Sequence, residues 1–171
     1  MTDWAALAAR QGRDTFVGTH RNLFLVSESR QGPLVPMKTM EFRAISLNPD
    51  DYEEEATAAH APRVSIAPNA HAVQEISKKQ NLFGEMITVG RTQNHDIVLL
   101  HATVSKFHAF FRTEGEVLQV FDAGSRNGTF VNGRRLPPKV PVPVSPGDNV
   151  SFGSVDCVIR DSAALYDLLR A

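Results

Sequence analysis

Hydrophobic and polar residues alternate along much of the chain, as they do in β-strands that have one buried face. MEFRAISL (40–47) alternates, with Met40, Phe42 and Ala44 on one face, and NLFLVSE (22–28) is a short apolar run. HAVQEIS (71–77) is a weaker candidate strand. From residue 85 onward further candidate strands follow at short intervals, at 85–90, 95–100, 106–112, 116–122, 129–132, 149–153 and 155–160.

Turn residues separate these candidate strands. Asn127-Gly128 and Asn132-Gly133 are turn dipeptides, because both residue types tolerate positive φ, and Pro146-Gly147-Asp148 is a third turn. Two prolines in KVPVPV (139–144) place that segment in an edge strand or a loop. Short strands between turns are typical of a β-sandwich or barrel. We therefore predict an all-β fold.

Helical patterns occur at the two ends of the chain. An apolar helical face begins after a cap at Thr2 or Asp3 and ends at Gly12. At the other end, Ser162 is predicted to cap a helix that continues through Leu169. The predicted organisation is a helical extension, a β-sandwich and a terminal helix, at residues 1–20, 21–161 and 162–171.

The segment 48–70 departs from the alternating pattern. It opens with five carboxylates in six residues, from Asp50 to Glu55, and alanine- and proline-containing sequence follows. This composition predicts a solvated acidic loop inserted into the sandwich. The alternative is a docking site for a basic partner.

Composition excludes several classes of protein. The chain of 171 residues is 42% hydrophobic and 22% charged with a net charge of −1, so its charge indicates no nucleic-acid partner. The lone Cys157 cannot form an internal disulfide, and its apolar surroundings predict a buried, inert thiol. No apolar run approaches the roughly 20 residues that cross a bilayer, and the N-terminus lacks a signal-peptide pattern. We expect a soluble, cytoplasmic protein without a membrane partner, a cofactor or a metal site.

Four short stretches carry the candidate chemistry: ITVGR (87–91), TVSKFHAFF (103–111), DAGSRNGTFVNGRRL (122–136) and SPGDNVSFG (145–153). Gly-Arg is followed by Ser-x-x-His, then by Ser-x-Asn-Gly-Thr-x-x-Asn-Gly and by Gly-Asp. This order and spacing resemble the forkhead-associated (FHA) domain, a phosphothreonine-binding β-sandwich. The resemblance covers about residues 85–160, and the compact Ser-Arg-Asn-Gly-Thr form suggests a bacterial member. It implies two mainly antiparallel sheets.

The residue types at these positions suit a phosphopeptide. Arg91 offers a planar guanidinium fork for two phosphate oxygens, Ser105 offers a hydroxyl donor, and Lys106 adds a point charge. Asn127 can both donate to and accept from the backbone of an extended peptide. The resemblance implies that Arg91 and Ser105 hold the phosphate and that Asn127 holds the peptide backbone. Lys106 and Arg126 stand at positions that commonly add contacts.

Ser105 and His108 also invite comparison with a nucleophile and its base. An extended Ser-x-x-His segment puts the two side chains on opposite faces unless the backbone turns at the serine. No acid is placed to orient the histidine, and no nucleophile elbow surrounds the serine. The resemblance instead makes His108 a brace for the loop that holds Ser105. It makes Gly90, Gly128 and Asn132 structural positions of the motif.

The expected function is a binding module without enzymatic activity that recognises a phosphothreonine in a partner of serine/threonine kinase signalling. The partner would be a kinase or one of its substrates. The alternative is a phosphate-independent scaffold that docks through its sheet face, the acidic insertion or the terminal helices. The sequence does not indicate an oligomeric state.

Overall fold

The computed structural model describes residues 2–27, 72–79 and 83–171. Within them, the helices are α1 (Trp4–Arg10), α2 (Arg13–Thr19) and α3 (Ser162–Arg170). The strands are β1 (Phe24–Ser27), β2 (Ala72–Glu75), β3 (Ile87–Gly90), β4 (Ile97–Val98), β5 (Ala109–Glu114), β6 (Val117–Asp122), β7 (Thr129–Val131), β8 (Arg134–Arg135), β9 (Val142–Val144), β10 (Asn149–Phe152) and β11 (Val155–Arg160).

The strands form two sheets. One has six strands in the order β2-β1-β11-β10-β7-β8, and the other has five in the order β4-β3-β5-β6-β9. Neighbouring strands are antiparallel except β3 and β4, which are parallel. Apolar side chains from both sheets pack together as one core, which includes Val89, Phe111 and Phe152. The predicted all-β sandwich of two mainly antiparallel sheets is confirmed.

The apolar run in β1 is buried on both faces. Leu25 points into the core between the sheets, whereas Phe24 and Val26 belong to a second apolar cluster that includes Trp4 and Phe16. The helices therefore cover the outer face of the six-stranded sheet at β1. This double burial explains why residues 22–28 read as a continuous apolar run.

The helix boundaries differ in two details from those predicted. The N-terminal segment contains two helices, because the backbone breaks at Gln11 and Gly12 and resumes in α2. At α3 the N-cap is Asp161, whose carboxylate accepts a hydrogen bond from the Ala164 N–H (2.8 Å). Ser162, the predicted cap, is the first residue of that helix. Aspartate and serine are comparably good caps, so the sequence alone did not separate them.

Most predicted strands are confirmed within a few residues. KVPVPV contains β9, which is an edge strand as its prolines require. The strand predicted from residue 106 begins at Ala109, because residues 103–108 form a loop. Arg134 and Arg135 form the short strand β8, which was not predicted, and both side chains are exposed. The predicted strand 40–47 and the acidic loop 48–70 lie outside the described residues.

Cys157 lies in the core of the sandwich, 2% exposed. Burial raises the pKa of its thiol to about 12, so the thiolate is not accessible at neutral pH. The predicted burial of Cys157 is confirmed. None of the helices in the described part of the chain is long and apolar enough to span a membrane. The predicted cytoplasmic location stays a prediction.

Phe16→Ala tests whether the N-terminal helices are part of the folded unit. Phe16 is fully buried and makes edge or tilted ring contacts with Trp4 and Tyr166. Its removal leaves a cavity, and we expect the free energy of unfolding to fall by about 3 kcal/mol or more. Denaturant titration measures this change, with the exposed Thr15→Ala as the control. Equal stability of the two variants would show that the helices do not stabilise the sandwich.

Candidate functional site

Loops from both sheets meet at one end of the sandwich. Residues 91–96 and 99–108 belong to the five-stranded sheet, and residues 123–128 and 153–154 adjoin strands of the six-stranded sheet. Hydrogen bonds join these loops to one another. The predicted phosphopeptide-binding residues all lie on them: Arg91, Ser105, Lys106, Arg126 and Asn127.

Arg91 and Ser105 are brought together by their backbones. The Arg91 N–H donates to the Ser105 carbonyl oxygen (3.0 Å). Gly90 makes this approach possible, because a Cβ at that position would stand 2.1 Å from the Lys106 carbonyl oxygen. The same Cβ would stand 2.4 Å from Cδ2 of His95. A side chain at residue 90 would therefore push Arg91 away from the loop of residues 103–108, called the serine loop below.

The His108 ring joins the serine loop to Gly128 through two hydrogen bonds. Its Nδ1 accepts a hydrogen bond from the Ser105 N–H (3.0 Å), and its Nε2 lies 3.0 Å from the Gly128 carbonyl oxygen. Because Nδ1 accepts, Nε2 carries the proton and donates to Gly128. The backbone does turn at Ser105, but the imidazole meets the serine N–H rather than its hydroxyl. This arrangement is a brace and does not activate a nucleophile.

The imidazole is fully buried and edge-on to Phe152, with 5.8 Å between the ring centroids. Burial lowers the pKa of His108, although the Gly128 hydrogen bond and the Asp122 carboxylate act in the opposite direction. The neutral ring is therefore the stable form at pH 7. If Nδ1 were protonated, it could no longer accept the hydrogen bond from the Ser105 N–H, and that bond would be lost.

The Ser105 hydroxyl faces the neighbouring loop. Its Oγ accepts a hydrogen bond from the Arg126 N–H (3.1 Å), which leaves the hydroxyl proton to donate. The Asn127 amide donates from Nδ2 to the Thr103 carbonyl oxygen (2.7 Å). Since Nδ2 carries two protons, a second proton and the Oδ1 acceptor have no partner among the described residues. Asn127 can therefore hold the loop and still bind a peptide backbone.

Asp122 organises the loop that carries Arg126 and Asn127. Its carboxylate accepts hydrogen bonds from the Gly124 N–H (2.9 Å), from the backbone and hydroxyl of Ser125 (3.0 and 2.5 Å) and from the Thr129 hydroxyl (2.7 Å). Burial would raise the pKa of Asp122, but the hydrogen bonds outweigh burial and lower it. The loop is thus fixed by a charged acceptor that stays ionised at neutral pH.

His95 supports the segment between Arg91 and Lys106. Its ring is 5% exposed and stacks between Phe83 and Phe107, with centroid separations of 5.5 and 5.3 Å. Burial lowers the pKa of His95, and a hydrogen bond with the Lys106 backbone opposes this. The Lys106 carbonyl also accepts a hydrogen bond from the Thr92 hydroxyl (3.2 Å). The backbone beside Ser105 is therefore held from two sides.

The side chains of the candidate site are accessible to solvent. Lys106, Arg126 and Asn127 are exposed, and Arg91 and Ser105 are half-buried. Among the described residues, the ion pairs are Arg13–Asp167 and Lys78–Asp96, so the basic side chains here have no carboxylate partner in this part of the chain. No group of His, Cys, Asp or Glu side chains within that part is arranged to hold a metal ion.

Two motif residues with predicted structural roles have unusual backbones. Gly128 has a φ of +85°, and its backbone lies against the Arg135 side chain. Asn127 itself has no positive φ, so Gly128 alone needs the left-handed conformation in that turn. Asn132 has a φ of +49°, and its amide bonds to the Asp148 carboxylate (2.9 Å) and the Asn149 N–H (3.0 Å). It lies at the other end of β7 from Asn127.

Sequence reasoning missed Asp122, Thr103 and His95. Asp122 has a local signal, because an aspartate two residues before glycine favours a turn in which the carboxylate binds backbone N–H groups. Thr103 and His95 have no such signal, since their partners come from distant loops or stacked rings. The roles assigned to all of these residues stay predictions.

Comparison with known proteins agrees with the motif. The family model described as the FHA domain matches residues 87–153. The chain is 34% identical to the glycogen accumulation regulator GarA of Mycolicibacterium smegmatis, over 67% of this chain and 75% of that protein. It is 35% identical to the oxoglutarate dehydrogenase inhibitor of Corynebacterium diphtheriae, over 75% of this chain and 92% of that protein.

A solved structure of Mycobacterium tuberculosis EmbR in complex with a low-affinity phosphopeptide is 26% identical, with a TM-score of 0.45. The match covers 54% of this chain and 22% of the EmbR chain. The relatives named here are bacterial, which confirms that expectation. The shared motif and the extent of the match with GarA and the oxoglutarate dehydrogenase inhibitor show that the chain belongs to the FHA domain family.

Proposed function

We propose that this protein binds a phosphothreonine-containing segment of a partner and mediates phosphorylation-dependent association in serine/threonine kinase signalling. The observation that carries the proposal is the meeting of Arg91 and Ser105 through a 3.0 Å backbone hydrogen bond. This contact brings the Arg91 guanidinium, the Ser105 hydroxyl and the Lys106 ammonium group into one region. Neither basic side chain forms an ion pair with a carboxylate among the described residues. Such converging donors suit a phosphate monoester.

The peptide backbone would bind at Asn127, whose Oδ1 and second Nδ2 proton are available among the described contacts. The loop is already fixed by Asp122 and by the Thr103 contact, so little conformational entropy is lost when a peptide binds. The binding module would comprise residues 21–161, including the insertion 48–70, and the helices of residues 1–20 and 162–171 would cover one sheet.

The protein would act by binding and not by catalysis. The names of the two bacterial relatives, a regulator and an inhibitor, support this inference. The partner would be a serine/threonine kinase or a kinase substrate. A phosphate-independent scaffold of the same fold is the alternative, and the intact Arg91, Ser105 and Asn127 set argues against it. Calorimetric titration with a phosphothreonine peptide and its unphosphorylated form separates the two, because a scaffold binds both equally or neither.

Arg91→Ala is expected to remove most phosphopeptide binding. Losing a charge-assisted contact at a half-buried site should cost about 2–4 kcal/mol of binding free energy. Isothermal titration calorimetry measures the loss. Arg170→Ala is the control, since it removes the same charge from an exposed position on α3. If Arg91→Ala binds as tightly as the wild type, Arg91 is not the phosphate clamp.

Ser105→Ala and His108→Ala are expected to affect different properties. Ser105→Ala removes a ligand donor and should weaken binding while changing the free energy of unfolding by less than about 1 kcal/mol. His108→Ala removes a buried ring that makes two hydrogen bonds, and should lower the free energy of unfolding by about 2–4 kcal/mol. Thermal melts and titrations of both variants decide the matter. A fully stable His108→Ala protein that has lost binding would mean that the histidine contacts the ligand.

His108 also predicts a pH dependence of stability. Its pKa is lower in the folded protein than in the unfolded chain, so its contribution is complete above the ordinary histidine pKa of about 6.5 and is lost as the pH falls below that value. Between pH 7 and pH 5 the wild type should therefore lose more stability than His108→Ala. Denaturant titration across this range measures the difference, and parallel losses would contradict the buried neutral imidazole.

A phosphothreonine peptide is expected to bind more tightly than the matched phosphoserine peptide. The FHA resemblance places the threonine methyl in a small apolar gap beside the Ser105 and Asn127 loops. One buried methyl contributes roughly 0.8 kcal/mol, or about a fourfold difference in Kd. Competition binding with the two peptides measures the ratio. Equal affinities would mean that the site recognises phosphate charge alone.

A further inference from the structure

Positive charge is concentrated at the site end of the sandwich. The site loops 91–95, 101–108 and 123–128 contain no aspartate or glutamate, although Asp96 and Asp122 border them and the whole chain has a net charge of −1. They contain three basic residues, Arg91, Lys106 and Arg126, and a fourth, Arg135 of β8, lies against Gly128. None of these has an ion-pair partner within the described residues. Within the described part of the chain, these four side chains are therefore available to pair with an acidic ligand.

A phosphothreonine accounts for only part of that charge. The phosphate carries about −1.5 to −2 at pH 7, and Arg91 and Lys106 together match it. Arg126 and Arg135 remain in excess, and both are exposed. Complementary charge across an interface raises specificity and the association rate. The partner segment would thus need further negative charge beside the phosphate.

Arg135 is held in a defined place near the peptide loop. The tight turn at Asn132 and Gly133 returns the chain along β7, and Arg135 pairs with Phe130. Its guanidinium lies against Gly128, where a Cβ would stand 2.7 Å from Nε and 3.2 Å from Cζ. Gly128 directly follows Asn127. The glycine thus lets the arginine lie beside the residue that would hold the peptide.

A chain of contacts connects the phosphate-binding residues to Arg135. The Arg91 N–H bonds to the Ser105 carbonyl, and the Ser105 Oγ accepts from the Arg126 N–H. Gly128 follows two residues after Arg126, and the Arg135 side chain lies against it. A peptide that is anchored at Ser105 and extends over Asn127 would therefore come close to Arg135. Arg134, the next residue on the same strand, points to the opposite face of the sheet.

We propose that the partner segment carries acidic side chains beside its phosphothreonine and that Arg135 is a specificity-determining residue that binds one of them. The inference rests on the proposed function and names the class of phosphopeptide. A guanidinium can take a carboxylate through two parallel hydrogen bonds, which a lysine cannot reproduce.

The test uses two phosphothreonine peptides, one with aspartate at two positions on each side and one with lysine at the same positions, together with their unphosphorylated forms. Calorimetry at low and moderate salt is run on the wild type, Arg135→Gln and the matched control Arg134→Gln. We expect the wild type to bind the aspartate phosphopeptide at least about fivefold more tightly than the lysine phosphopeptide. Arg135→Gln should lose most of this preference, and Arg134→Gln should keep it within about twofold.

A thermal melt of each variant checks folding, because Arg135 covers Gly128. If Arg135→Gln is unfolded, Arg135→Lys replaces it, and this variant should keep part of the preference. The proposal is overturned if the wild type binds the two phosphopeptides equally, or if Arg135→Gln weakens both by the same factor. In either case both phosphopeptides would still bind more tightly than their unphosphorylated forms. If neither does, the proposed function itself fails.

Discussion

The site depends on one buried neutral imidazole. His108 accepts a hydrogen bond from the serine loop of the five-stranded sheet and donates one to Gly128, which leads into β7 of the six-stranded sheet. A single ring therefore couples the two sheets where their loops meet. The ring can do this only while Nδ1 is unprotonated, and its burial favours that state. The position of Ser105 relative to Arg126 follows from this coupling.

The surrounding contacts fix the same loops from other directions. Asp122 holds residues 124–129 through its carboxylate, and His95 forms a hydrogen bond with the backbone of Lys106. Donors that are held in place before the ligand arrives lose less entropy on binding. Gly90 and Gly128 serve the same end, because each leaves room for a neighbour that a Cβ would displace. In this protein, the structural part of the motif and the binding part are thus physically dependent on each other.

Much of the fold follows from local patterns that the sequence displays directly. Short apolar stretches at residues 116–122 and 155–160 predict β6 and β11, and the Asn-Gly dipeptide at 132–133 predicts the turn before β8, because these signals involve neighbours in the chain. The start of β5 was predicted three residues early, since the Ser105–His108 hydrogen bond closes a loop that hydrophobicity does not reveal.

The site was predictable as a set of residues but not as a geometry. The spacing of Arg91, Ser105 and Asn127 identifies the family, whereas the Thr103 contact of Asn127 and the position of Arg135 over Gly128 arise from tertiary packing. No local pattern records which distant group will meet a given side chain. For this reason the sequence gives no sign that the exposed Arg135 side chain lies against Gly128.

We propose that phosphate binds where Arg91, Ser105 and Arg126 meet, beside the buried His108 ring. Backbone amide NMR of the ¹⁵N-labelled protein, titrated with a phosphothreonine peptide, tests this claim most directly. We expect the largest chemical-shift changes at the amides of Arg91, Ser105, Lys106 and Arg126, and we expect the unphosphorylated peptide to leave them unchanged. Changes centred on the helices or on the outer face of the five-stranded sheet, or equal changes with both peptides, would contradict it.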